Sequence, residues 1–86
     1  MKATNLPIRY KAAQGQPLGN DMHSYLIDEW YGIKLMRSFT VEVSRTPKTT
    51  YKASESTIER WCGLKPDQLP KNGGTISVDL KEIQIF

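Results

Sequence analysis

Residues 39–44, Phe-Thr-Val-Glu-Val-Ser, constrain the fold more than any other stretch of this chain. Phe39, Val41 and Val43 alternate with Thr40, Glu42 and Ser44. Successive side chains of a strand point to opposite faces, so the run predicts a strand with one apolar and one polar side. The apolar side needs a second apolar element to cover it. A chain of 86 residues offers few candidates for that cover. It also forms a single domain, expected over residues 1–86, with a thin core and little interior in which to enclose a reacting bond. The expectation is therefore a binding protein and not an enzyme.

Two segments predict helices that supply the cover. Asn20 or Asp21 caps the first. Met22, Leu26, Trp30 and Ile33 follow at helical spacing, Tyr25 and Ile27 flank that stripe, and Gly32 limits the helix to about three turns. The second begins near Ser54 or Ser56. Ser56-Thr57-Ile58-Glu59 fits a capping box, in which serine and glutamate satisfy each other's backbone N–H groups. Ile58, Trp61 and Cys62 share a face, and Gly63 with Pro66 ends the helix.

Further strands complete the pattern. Residues 6–12 alternate around Ile8 and Tyr10, and Pro7 makes them an edge strand because it cannot donate to a ladder. Residues 14–19 read as a loop by their Gly and Pro content. Residues 46–53 read two ways: Thr49, Thr50 and Tyr51 favour a strand, whereas Pro47 suits the first position of a short helix. Leu69-Pro70-Lys71-Asn72-Gly73-Gly74 is a turn that opens a strand through Ile76, Val78 and Leu80. Ile83 and Ile85 continue on the opposite phase, which calls for a bulge or bend near Lys81-Glu82. The predicted fold is α+β, with two helices on a small antiparallel sheet in the order β-α-β-β-α-β. Its core should comprise Met22, Leu26, Trp30, Phe39, Val41, Val43, Ile58, Trp61 and Val78.

The residue inventory argues against several chemistries. Cys62 is the only cysteine, so no internal disulfide forms, and His23 is the only histidine, so no Cys/His cluster holds zinc. No Ser/His/Asp set and no Gly-rich phosphate loop is present; no cofactor is expected. His23 has no sequence-visible partner to tune it for acid–base work. Cys62, beside Trp61 on an apolar face, reads as a buried inert thiol. The N-terminal residues lack the apolar run of a signal peptide, and no segment is long enough to span a bilayer, so a soluble, cytoplasmic protein without a membrane partner is expected.

Charge is unevenly placed. The chain carries a net +3. Residues 34–71 hold eight basic residues against Glu42, Glu55, Glu59 and Asp67, an excess of +4 (8 − 4). A basic stripe attracts phosphate backbones or acidic protein faces. The candidate contact residues are Arg45, Lys48, Lys52, Ser56, Arg60, Lys65 and Lys71.

Residues 54–61, Ser-Glu-Ser-Thr-Ile-Glu-Arg-Trp, resemble the recognition helix of helix-turn-helix proteins. Leu69-Pro70 followed by Gly73-Gly74-Thr75-Ile76 resembles the wing of excisionase-like and MerR-like winged helices. The resemblance covers residues 51–80 and implies a small DNA-binding accessory or regulatory protein. Helix 54–64 and the 71–76 turn would then touch the grooves. It departs from that family just upstream, where an apolar helix is replaced by residues 45–51, Arg-Thr-Pro-Lys-Thr-Thr-Tyr. In size and element order the chain also resembles small phage and mobile-element accessory proteins, anti-CRISPR inhibitors among them. That resemblance implies a protein that binds and inhibits a host protein complex by covering its surface.

Overall fold

The structure is a computed structural model that describes residues 7–19, 22–44 and 53–84. Three strands run as an antiparallel meander: β1 (Ile8–Gly19), β2 (Met22–Tyr31) and β3 (Lys34–Ser44). The helix α1 (Glu55–Leu64) and a single 3-10 turn (Pro66–Gln68) follow. The chain then enters β4 (Thr75–Asp79), which pairs parallel with β3, and closes its described part with a short helix, α2 (Leu80–Gln84). The sheet order is β1-β2-β3-β4. The α+β class holds, but the sheet is mixed and the element order is β-β-β-α-β-α.

The largest correction concerns residues 22–31, which are a central strand and not a helix. Met22, Leu26 and Trp30 are four residues apart, and a spacing of four satisfies a period of 2 as well as a period of 3.6. As a strand these three share one face, while Tyr25 and Ile27 turn to the other and are fully buried. Pairing on both sides, with β1 and β3, decides the matter. Gly32 does not end a helix. It takes φ 65° at the first position of a two-residue turn that joins Tyr31 to Lys34, a backbone shape that suits glycine and matches strand twist.

Two smaller differences have local causes. Residues 14–19 continue β1 as an irregular strand, with register shifts on either side of Pro17. An edge strand tolerates both bulges and proline. The phase change after Leu80 is not a bulge: β4 stops at Asp79, whose carboxylate accepts from the Lys81 N–H at 2.9 Å, and α2 buries Leu80 and Ile83 one turn apart.

Other expectations agree with the structure. The edge position of the first strand and the strand through Phe39–Ser44 are present. So are the burial of Ile58, Trp61 and Cys62 and the strand opened by Gly73-Gly74. Gly73, at φ 78°, lies where an added Cβ would stand 3.3 Å from the Ser38 carbonyl, and the next carbonyl, Gly74, accepts from Thr40 N–H at 2.8 Å. Residues 45–52 lie outside the described residues, so the strand or helix expected there is not addressed. Helix α1 is capped by Ser54, not Ser56: the Ser54 hydroxyl accepts from the Thr57 N–H at 3.3 Å. Gly63 lies inside α1, and Pro66 opens the 3-10 turn after it.

One core joins all of these elements. Tyr25, Ile27, Phe39, Val41, Val43 and Val78 line the inner face of the sheet; Ile58, Trp61 and Cys62 from α1 and Leu80 and Ile83 from α2 pack into the same cluster. The Tyr25 hydroxyl crosses the core to donate to the Ala53 carbonyl at 2.7 Å, which fixes the approach to α1. Met22, Leu26 and Trp30, expected in this core, stay outside it on the opposite face, with Leu26 half exposed. No helix among the described residues is long and apolar enough to cross a membrane.

Candidate interaction surface at the open end of the hairpin

The molecule is elongated, 48 × 23 × 18 Å. The β2–β3 hairpin carries exposed apolar side chains around its turn. At its end Ile33 sits in the turn, 97% exposed, and Ile8, Tyr31, Leu35 and Met36 are exposed around it. The cross-strand register spreads them over both faces of that end: Ile8 faces Tyr31 on the side that carries the core, and Leu35 faces Trp30 on the other. A register shift after Glu29 leaves Met36 outside the regular pairs. Single exposed apolar residues are ordinary on a protein surface, whereas a cluster at one end of an element marks a contact site.

A polar network ties this end together. Glu29 and Arg37 are cross-strand partners and form a two-pronged ion pair, at 2.9 Å from Nε and 3.1 Å from Nη2. The Tyr10 hydroxyl donates to the same carboxylate at 2.8 Å. Arg37 also donates to the Pro70 carbonyl, and its guanidinium lies 5.2 Å from the centre of the Phe39 ring. All three sheet strands of the meander and the loop before β4 are thereby tied at one point. Burial and the neighbouring Glu29 push the Tyr10 hydroxyl up to about 12. Burial on its own raises the Glu29 carboxyl, but the bonds from Arg37 and Tyr10 outweigh it and hold the group below its usual value. The bonds from Arg37 favour the ionised carboxylate, so the network is fully assembled at neutral pH.

Beside the network, β1 forms the rim of the sheet. Arg9, Tyr10, Lys11, Trp30 and Glu59 surround an open concavity of about 590 Å³. Glu59, read from sequence as a capping-box residue, instead reaches the strand edge, where its carboxylate accepts from the Ala12 N–H at 2.8 Å. Arg9 donates to the Gly32 carbonyl at 3.1 Å, and the Ser38 hydroxyl donates to Asp28 at 2.6 Å.

The contact residues expected from sequence lie elsewhere. Ser56 and Arg60 are exposed on α1, Lys65 is half-buried just after it, and Lys71 is exposed before β4. Arg45, Lys48 and Lys52 fall outside the described residues. The stretch resembling a wing leads into β4, which lies against β3 as a parallel strand. His23 lies in β2 opposite Val43, not at a helix start. Cys62 is fully buried; burial, then the carboxylates of Glu59 and Glu29, push its thiol up to about 12. Among the described residues no group of three or more His, Cys, Asp or Glu is placed to hold a metal ion. Sequence reasoning missed the hairpin end because it read residues 22–33 as a helix. Gly32-Ile33 between two β-forming runs was the available signal for a two-residue turn.

Comparison with known proteins returned no match: no family model, no curated sequence and no solved structure matches this chain.

Proposed function

We propose that this chain is a small, non-enzymatic accessory protein that binds another protein through the open end of the β2–β3 hairpin, and that it acts by covering a partner surface in the cytoplasm. The observation that carries this reading is the exposure of Ile8, Tyr31, Ile33, Leu35 and Met36 at one end of the molecule. Aromatic residues and methionine are enriched in the cores of protein interfaces, and a basic rim of Arg9, Lys11 and Lys34 surrounds them here. The network of Tyr10, Glu29 and Arg37 holds the surface in shape before a partner arrives, which lowers the entropy lost on binding. This is the inhibitor reading suggested by the small size of the chain, although the element order that also suggested it is not the one observed. Affinity purification of the full chain from native cells, with nuclease treatment, tests it. The expected result is a defined protein partner that survives nuclease and is lost in an Ile33→Asp/Met36→Asp variant. Unchanged recovery by that variant would remove the hairpin from the interface.

DNA binding is the second reading. It is supported by the exposure of Ser56, Arg60 and Lys71 within the basic segment. It ranks second because β4 is a sheet strand and not a free wing. Duplex affinity that falls steeply with salt, and falls further in an Arg60→Ala/Lys71→Ala variant, would promote it.

A further inference from the structure

We infer that the hairpin end enters a cleft of the partner protein that closes on both of its faces, and that this cleft has apolar walls and an acidic lip. The inference rests on the protein-binding reading above and names the shape and chemistry of the surface it would meet.

Shape comes first. Strand alternation divides the end between two faces. Ile8, Tyr31 and Lys34 stand in register on the face that carries the core, and Arg9, Trp30 and Leu35 on the other. Ile33 sits in the turn between them. Each face therefore presents two apolar or aromatic side chains and one cation. Ile8 is 57% exposed and Leu35 47%, so neither face is the covered one. A flat partner would bury one face and leave the apolar side chains of the other in water. A cleft buries both, and removing apolar surface from water is the main favourable term in association.

Charge then sets the lip. Counted in rows from the turn, the first row of paired residues carries Lys34, the second carries Arg9, and neither carries an acid. In the third row Glu29 is paired with Arg37, and in the fourth Lys11 stands opposite Asp28, so both of these rows balance. Glu59 is engaged farther along β1, at the Ala12 N–H. The loop that reaches Arg37 through Pro70 carries Lys65 and Lys71 against Asp67. The residues outside those described hold one acidic side chain, Asp21, which adjoins Met22 in sequence, at the opposite end of β2 from Tyr31. The positive charge of the two rows nearest the turn is therefore not offset. With one cation on each face, carboxylates on both lips of the cleft would meet them. A second copy of this chain would set Lys34 and Arg9 against their own counterparts, and like charges repel. Lipid hydrocarbon would receive the turn's backbone groups and the Lys34 ammonium beside Ile33 without a hydrogen-bond partner, whereas a protein cleft supplies partners for both.

The test is photo-crosslinking of the full chain from each face in turn. Cys62 is fully buried, so a maleimide-linked benzophenone attaches only to a thiol introduced by Ile8→Cys or, separately, by Leu35→Cys. If Ile8→Cys does not fold, Tyr31→Cys reports from the same face. Each labelled chain is irradiated in an extract of native cells, and the attached segments are identified by mass spectrometry. The expected result is one and the same partner protein from both faces, with Asp or Glu in the attached segments. Adding Arg9→Glu/Lys34→Glu should lower the yield from both faces roughly tenfold, whereas Arg9→Lys/Lys34→Arg should keep it. Attachment from one face only would overturn the cleft and leave the protein-binding reading in place. Attachment of no protein from either face would overturn both. Attached segments that are basic, or attachment to a second copy of the chain or to lipid, would overturn the inference. So would slow labelling of either new thiol in the native chain, because the chain itself would then cover that face.

Discussion

The two ends of the β2–β3 hairpin differ although the same two strands build both. At one end Tyr25, Ile27, Phe39, Val41 and Val43 are buried beneath α1 and α2. At the other, Ile33, Leu35 and Met36 face solvent. Apolar content does not separate the two ends; cover does. The helices come from the C-terminal half of the chain, and α1 packs against β1 and into the core cluster on the inner face of the sheet. Between the ends stands the network of Tyr10, Glu29 and Arg37, where burial is partial and polar groups replace apolar ones. The covered end holds the fold together, and the open end adds little to it.

The sharpest way to break this contrast is at the covered end. Trp61→Ala should cost about 3–5 kcal/mol, because it empties a fully enclosed aromatic site. In a domain this small that is a large share of the total stability, so chemical denaturation should show a midpoint far below that of the parent or a chain already unfolded. A midpoint close to the parent's would mean that α1 does not seal the core.

The network at the boundary should matter less. Arg37→Ala removes the bonds to Glu29 and Pro70 and leaves a half-buried carboxylate without its cation. A loss of about 1–3 kcal/mol is expected, read from the same denaturation experiment. If the loss instead matched that of a surface substitution, the network would be an exposed pair of little consequence.

A smaller effect should follow from acid. Glu29 is held below the usual carboxylate value in the folded chain, so its contribution is present above the unfolded pKa and is lost as pH falls through the lower, folded value. Stability should decline on acidification, and Glu29→Gln should flatten that decline. At the alkaline side the sign reverses. Cys62 keeps its proton in the folded state up to about 12, against 9.0 for the free thiol, so its contribution declines as pH rises above 9.0. The same burial predicts that a thiol reagent labels Cys62 only under denaturing conditions, and rapid labelling of the native chain would contradict it.

The smallest effect belongs to the open end. Ile33→Ser should change stability by no more than about 0.5 kcal/mol, because the side chain leaves no contact behind when it is removed. Partner binding, by contrast, should suffer in the same variant. A stability loss comparable to that of Arg37→Ala would show that the turn is packed and would collapse the distinction between the two ends.

Much of the architecture was legible locally. The alternation at Phe39–Ser44 specifies a half-buried strand whatever surrounds it. Pro7 marks an edge, Ile58, Trp61 and Cys62 mark the buried face of a helix, and Gly73-Gly74 marks entry to a strand. In the strand and the helix one period fits and the other does not, and proline and glycine act through their own backbones, so the local pattern and the final fold agree. Residues 22–33 were different, because Met22, Leu26 and Trp30 satisfy both periods and apolar residues occupy both faces of the segment. Only pairing with β1 on one side and β3 on the other chose the strand, since the hydrogen bonds that make a residue part of a sheet come from residues distant in sequence. That choice moved Leu26 and Trp30 out of the core, put Tyr25 and Ile27 into it, and turned Gly32-Ile33 from a helix end into an exposed tip. The parallel pairing of β3 with β4 and the capture of Ala12 by Glu59 were likewise decided by tertiary structure, because each joins groups that no local pattern connects.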